Sequence, residues 1–196
     1  MKRCTQLERI TKETKINVSM DFDSKDKSSI TTGVGFFDHM LDQLAKHSGI
    51  QIIVTCEGDT YIDDHHTIED VSICLGQAFK KCLGTSKGIR RFGYAYCPLD
   101  ESLSRAVVDI SGRGYASTSL LMTHEKVGDM HVEMIPHFFS SFASAAQITI
   151  HIDQIKGSNH HHMVESSFKA FAVALKSAIE IVGSDMPSTK GIIDNY

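Results

Sequence analysis

The chain has 196 residues, 41% of them apolar and 22% charged, with 14 Gly and 3 Pro. That is the make-up of one compact unit or two small halves around a buried core, and it excludes collagen-like, low-complexity and disordered chains. Lys and Arg number 20 against 24 Asp and Glu, for a net charge of -4, so there is no global electrostatic footprint for nucleic acid or an anionic membrane.

Residues 6–12 and 15–22 alternate apolar and polar side chains and predict two strands, followed by a polar turn at 23–27 and a flexible Thr32-Gly33-Val34-Gly35 stretch. GFFDHMLDQLAKHSG then predicts an amphipathic helix, and IQIIV after it a half-buried strand. A long helix opens at His65-His66, where Asp63 and Asp64 suit the cap and the positive end of the dipole, and Gly84 stops it. Strands are predicted at 92–97, 104–111 and 115–122. HFFSSFASAA reads as a helix and QITIHI as a strand, and a second long helix opens in the run His160-His161-His162, with Gly183 to stop it. Residues 184–196 carry Pro and polar side chains without periodicity and predict an extended arm.

The second series repeats the first. Shifting the chain by about 98 residues places His39 on His137, Leu41 on Phe139, Leu44 on Phe142 and Ile52 on Ile150. A shift of roughly the same size places His66 on His162, Glu69 on Glu165, Leu75 on Phe171 and Cys74 on Ala170. We therefore expect an α+β fold of internally duplicated half-domains, residues 1–90 and 91–183. Each half is a mixed β-sheet with two helices, and the helices of both halves pack together between the sheets around a pseudo-two-fold axis. Residues 184–196 form the arm of this one compact domain.

The cysteines, Cys4, Cys56, Cys74, Cys82 and Cys97, are odd in number and contain no C-x-x-C pair, so neither a disulfide framework nor a thiolate metal site is expected. No apolar run approaches the roughly 20 residues of a membrane span, and the early Lys and Arg precede no apolar leader, so a cytoplasmic location is expected.

Histidine carries the chemistry. In His65-His66-x-x-Glu69 the first His and the Glu are i and i+4 on one helical face and suit a common ion, whereas His66 is turned by about 100° toward another. Only His161-His162-x-x-Glu165 repeats the pattern, which leaves His160 as a spare. The duplication suggests that each odd histidine joins the pair of the other repeat. One ligand set is then His39, His66, His161 and Glu165, and the other is His65, Glu69, His137 and His162. Three imidazoles and one carboxylate, with no thiolate, suit Mn, Fe, Co or Ni better than a closed structural zinc. For His47, His124, His131, His151 and His160 an ordinary core or surface role is the simpler reading. Arg90-Arg91, Ser111-Gly112-Arg113-Gly114 and Ser188-Thr189-Lys190-Gly191 each place a cation beside small or hydroxyl residues, a weaker signal for an anion.

With these residues in hand, the chain closely resembles the imidazoleglycerol-phosphate dehydratase family. The resemblance runs almost end to end, through RITKETKI, GVGFFDHMLDQLAKHSG, DDHHTIEDVSICLGQA, RRFG, PLDESLSRAVVDISGRGY, HFFSSFA, GSNHHHMVESSFKAFAVAL and STKG. It departs at Gly114, where proline is common, and at Ser158, where arginine is common. The resemblance implies a lyase of histidine biosynthesis with two manganese ions per active site. It also implies a homo-24-mer whose sites form between chains, a small phosphorylated imidazole substrate, and neither nucleic acid nor membrane as partner. It makes Glu13 the acid/base residue, with Glu69 and Glu165 as catalytic ligands. The implied substrate contacts are His39, His47, His65, His161 and Lys169 beside those glutamates, with Arg91, Arg113, Ser188 and Lys190 mainly on the phosphate. The implied reaction is dehydration of imidazole glycerol phosphate to imidazole acetol phosphate; the rival reading of the same residues is a dinuclear phosphate-ester hydrolase.

Overall fold

Period-two patterning builds two sheets in the computed structural model, which describes residues 2–193. In the first half, β1 (Cys4–Ile10) and β2 (Thr14–Asp21) form a hairpin, then come β3 (Ser29–Thr31), α1 (Gly35–Ser48), β4 (Gln51–Gly58) and α2 (His65–Leu83). The second half runs β5 (Phe92–Leu99), β6 (Ser102–Asp109), β7 (Tyr115–Ser119), β8 (Lys126–Val127), β9 (Met130–His131), α3 (Met134–Ala146), β10 (Thr149–Lys156) and α4 (His160–Ala178). The sheet orders are β1-β2-β4-β3 and β5-β6-β10-β7. In both, the last pair is parallel and the others antiparallel. The halves therefore share one topology, each with a strand–helix–strand crossover to a parallel neighbour.

One face of each sheet is apolar: Ile16, Val18 and Met20 of β2 and Ile52 and Val54 of β4 point inward, as do Ala106 and Val108 of β6 and Ile150 and Ile152 of β10. Helix α2 covers β1 and β2 and α4 covers β5 and β6, while α3 packs on α2 and α1 on α4. The helices thus lie between the sheets and pair across the repeats. A run of phenylalanines, Phe138, Phe139, Phe142, Phe168 and Phe171, fills the centre with tilted and edge-on ring contacts, geometry that aromatic pairs favour. Gly76 sets the closeness of the α2–α3 crossing, since a Cβ there would lie 2.6 Å from the Phe142 carbonyl oxygen.

Several local expectations differ from the structure. β3 lies between the expected turn at 23–27 and the flexible stretch at 32–35, where no element was expected, because three residues are too few to display a period. Strand β7 ends at Ser119 rather than at residue 122, and the β8–β9 hairpin was not expected. Gly84 follows α2 directly, but α4 ends at Ala178, and Gly183 lies beyond a short extended piece in which Ile181 bridges Ile89. Asp64 does not cap α2 with its side chain; its carboxylate is bound across the repeat instead. The last three residues of the expected arm, 194–196, lie outside the described residues.

Candidate metal centres

Helix α1 presents His39 and helix α4 presents His161 and Glu165. Both imidazole Nε2 atoms converge on Glu165 Oε2, at 3.0 Å from His39 and 3.1 Å from His161. The start of α1 has no side-chain cap of its own; Asp129, from the β8–β9 turn, accepts from Gly35 N at 2.6 Å and Phe36 N at 2.8 Å. Helix α4 is capped by Asn159, whose side chain accepts from His162 N. Burial disfavours the Glu165 carboxylate, but a 2.6 Å ion pair with Lys169 Nζ and the two imidazoles outweigh it and hold its pKa down at about 2.

The duplicated counterpart is His65, Glu69 and His137, from α2 and α3. Glu69 Oε1 lies 3.3 Å from His137 Nε2, Glu69 Oε2 lies 3.9 Å from His65 Nε2, and the two imidazole rings are 4.9 Å apart. His137 Nε2 is buried and makes no directed hydrogen bond, a cost that proteins rarely leave standing without a ligand or water to meet it. In both groups the three ligand atoms lie within 4.8 Å of one another. These donor sets fit a divalent cation: imidazole and carboxylate only, converging, with one buried nitrogen that a metal would satisfy.

His66 and His162 do not join these groups within the chain. His66 Nδ1 faces Asp59 at 3.0 Å, and its Nε2 is 3.7 Å from Glu13 Oε1. His162 Nδ1 faces Glu101 Oε2 at 2.7 Å. The hydrogen bond to Asp59 raises the His66 pKa, and that to Glu101 raises the His162 pKa. Glu13 sits in the β1–β2 turn, where Thr11 Oγ1 accepts from Glu13 N and the Glu13 carbonyl accepts from Asp59 N. Asp64 accepts from His131 N at 2.7 Å and pairs with His131 Nδ1 at 2.5 Å, tying the start of α2 to β9. His160 lies beside His124. Asp59, Glu101, Asp129 and Asp64 in this supporting role were missed by sequence reasoning. Acidic residues in turns carry no pattern that distinguishes a support from a solvated side chain.

The three anion motifs converge. Arg91, Ser111, Arg113, Ser188, Thr189 and Lys190 line a recess of about 350 Å³. Arg91 adopts a positive φ of 73°, its guanidinium fixed by Asp109 at 2.7 Å and by the Pro187 carbonyl at 2.9 Å. No member of the two histidine groups lines this recess. Arg91 N donates to the Ala178 carbonyl at the far end of α4, so at 1.5 Å per residue the recess lies roughly 25 Å along that helix from His161. His47 and Lys169 fall instead near the first group: His47 bonds Gln43 one turn back on α1, and burial, then the Lys169 charge, lowers its pKa.

Fold and site together define a duplicated α+β protein with two candidate metal centres and a separate anion recess. The family model described as imidazoleglycerol-phosphate dehydratase matches residues 32–175. Similar proteins of that name include one from Pyricularia oryzae, 57% identical over 173 residues covering 87% of this chain and 77% of the relative. Another, from Saccharomyces cerevisiae, is 49% identical over 212 aligned positions covering 95% and 96%. The crystal structure of imidazoleglycerol-phosphate dehydratase from Staphylococcus aureus is similar with a TM-score of 0.83 at 39% identity, covering 91% of this chain and 99% of that one. That from Pyrococcus furiosus, in complex with (S)-C348, gives 0.83 at 34% identity, covering 95% and 99%. The chain belongs to the imidazoleglycerol-phosphate dehydratase family.

Proposed function

We propose that the protein dehydrates imidazole glycerol phosphate to imidazole acetol phosphate and water in histidine biosynthesis, at a centre completed by neighbouring copies of the same chain. Family membership supports the reaction, and nothing in the site favours hydrolysis of a phosphate ester. One observation supports the shared centre. Each chain gathers three ligands of a set, yet its odd histidines point elsewhere and its anion recess lies about a helix length from His161. A substrate of about fifteen heavy atoms, much shorter than that helix even when extended, cannot bridge the span, so a neighbour's recess would bind the phosphate and a neighbour's His66 or His162 would complete a ligand set.

Manganese is the proposed ion, two per active site, held by His39, His66, His161 and Glu165 and by His65, Glu69, His137 and His162. When bound, such ions supply Lewis acidity toward the imidazole ring of the substrate. Arg91, Arg113, Ser188 and Lys190 would fix the phosphate, and Lys169 and His47 would flank the ring. Glu13, exposed in a turn braced by Asp59, would take the proton from the carbon next to the one that loses its hydroxyl. The resulting enol then tautomerises to the ketone, which balances the loss of one water. Glu69 and Glu165 would serve as metal ligands throughout. A homo-24-mer in the cytoplasm is the assembly and location we propose. The exposed Phe92, Tyr94 and Tyr115 on the outer face of the second sheet support burial against another copy.

The test is the ultraviolet absorbance of the enol product, formed from imidazole glycerol phosphate by protein that has been chelated and then reloaded with manganese. Activity that returns only with the ion, without release of inorganic phosphate, is the expected result. A folded, manganese-loaded protein that turns nothing over refutes the reaction, and phosphate release would install the hydrolase in its place.

A further inference from the structure

The two odd histidines share a feature that the duplication does not explain. His66 Nδ1 is 3.0 Å from Asp59 Oδ2 and 3.2 Å from Asp59 Oδ1, and His162 Nδ1 is 2.7 Å from Glu101 Oε2. His66 and His162 are equivalent in the repeat, but their carboxylate partners are not. Asp59 follows β4, just before α2, whereas Glu101 lies in the β5–β6 turn, far from α4 in sequence. The chain has reached the same arrangement twice from unrelated positions. In each case a carboxylate faces Nδ1, an arrangement that favours the proton on that nitrogen and leaves Nε2 its lone pair, aimed away from that carboxylate.

We propose that Asp59 and Glu101 are positioning residues for metal binding: each fixes the tautomer and ring orientation of one odd histidine so that its Nε2 is presented, preformed, to a metal centre. This rests on the reading that His66 and His162 are the fourth ligands. A carboxylate behind a ligating imidazole sets its orientation and raises its basicity, and loss of such a partner typically weakens metal binding by 10- to 100-fold. Glu101 has a second task. Its Oε1 accepts from Ser158 N at 3.2 Å and Asn159 N at 2.8 Å, which fixes the orientation of the whole group and the entry into α4. Asp59 carries no comparable backbone donors on its carboxylate among the described residues, so no main-chain group fixes which of its oxygens faces the ring.

That difference gives the proposal a signature. In Glu101→Gln the two backbone N–H groups keep the amide oxygen, so its NH2 turns toward His162 Nδ1 and forces the proton to Nε2, where it blocks a metal. In Asp59→Asn the amide can rotate and offer its oxygen to His66 Nδ1. The experiment is titration of the chelated, intact protein with Mn2+, reading the free ion by its electron paramagnetic resonance signal, with assembly checked by light scattering. Asp59→Ala and Glu101→Gln are expected to weaken one class of ion by 10- to 100-fold, and Asp59→Asn by much less. Asp59→Ala added to His66→Ala is expected to cost nothing further, because the residue acts only through that ring.

If His66→Ala and His162→Ala leave Mn2+ affinity unchanged, the ligand reading itself fails and the proposal falls with it. If those variants weaken binding but Glu101→Gln does not, or if the Asp59 and His66 losses simply add, the positioning role is overturned while the ligand reading stands. Asp59→Asn and Glu101→Gln are nearly isosteric, so a misfolded alanine variant does not remove the test.

Discussion

Replacement of Gly76 by alanine tests whether the α2–α3 crossing sets the geometry of the second metal group. The added Cβ would meet the Phe142 carbonyl oxygen at 2.6 Å, Ala145 Cβ at 2.7 Å and Ala146 N at 2.9 Å. Reaching an ordinary contact of 3.4 Å requires the helices to separate by about 0.8 Å. Two of the three atoms are backbone, so no side-chain rotation relieves the overlap. Overpacking of this kind costs about 1–3 kcal/mol, offset by up to about 1 kcal/mol from replacing a helical glycine. With the offset taken in full the net loss is about 0–2 kcal/mol, centred near 1, or roughly 2–4 °C in Tm at that centre for a chain of this size. Glu69 on α2 and His137 on α3 straddle the same crossing, and a misplacement approaching 1 Å in a preorganised site can lower turnover by about 100-fold. The assay is thermal unfolding of the metal-free protein, Mn2+ stoichiometry and enol formation on one preparation. The His65, Glu69 and His137 group should weaken while the His39, His161 and Glu165 group keeps its affinity. An unchanged Tm together with unchanged turnover would refute the reasoning, as would equal damage to both groups.

Asp129→Ala removes the cap of α1 and should cost about 0.5–2 kcal/mol, read by thermal unfolding. The pH dependence follows from its sign. Burial opposes the Asp129 carboxylate, but the Phe36 and Gly35 N–H groups hold its pKa below the usual value, and the Arg3 guanidinium does the same for Asp23. The unfolded chain therefore binds more protons, so the stability these groups contribute is complete above roughly pH 5 and is lost as the pH falls below 4. Asp129→Ala should flatten that acid limb, and an unaltered slope would count against the cap. Glu13→Gln should lower turnover by about 100- to 10,000-fold with Mn2+ affinity intact; near-normal turnover would remove Glu13 as the base. Arg91→Ala should raise KM and abolish competition by inorganic phosphate without altering Mn2+ binding, since Arg91 belongs to neither ligand group. Unchanged KM and phosphate inhibition would dissociate the recess from the substrate.

Most of the architecture was legible because it rests on periodicity and on self-comparison. His39 over His137 and Glu69 over Glu165 carry the duplication, and the apolar stripes of the four helices dictate that they be buried together. What was not legible lacks a period. The three residues of β3 join their sheet through backbone pairing with β4, and the β8–β9 hairpin interrupts the second half without a counterpart in the first. Asp63 and Asp64 read as capping residues from composition. Of the two side chains only that of Asp63 accepts from the helix, at His65 N, while the Asp64 carboxylate is buried and spent on His131. A local rule cannot choose between two adjacent aspartates when a third element decides. The pairing of His65 with Glu69 and of His161 with Glu165 followed from i, i+4 spacing, but equivalence alone does not choose which pair His39 or His137 joins, and the carboxylates behind His66 and His162 depend on which turns the fold brings beside them.

The two halves also show what the duplication has held and what it has let go. Three ligand pairs remain equivalent in position and in residue type: His39 with His137, His65 with His161, and Glu69 with Glu165. Their surroundings have diverged. α1 is capped from outside by Asp129 and α4 from within by Asn159; α2 approaches α3 through Gly76, while the matching residue of α4 is Ala172, which carries a side chain. Glu165 is paired with Lys169 at 2.6 Å, but Glu69 has no cation within ion-pair distance among the described residues apart from histidine. The two glutamates therefore begin from different electrostatics. Lys169 partly neutralises Glu165 before any metal arrives, so the Glu69 group is the stronger attractor for a divalent cation. The two centres should fill at different Mn2+ concentrations, the His65, Glu69 and His137 centre first. Lys169→Met should narrow that gap by strengthening the Glu165 centre, and two centres that fill together in the unsubstituted protein would show that the difference in charge has no consequence.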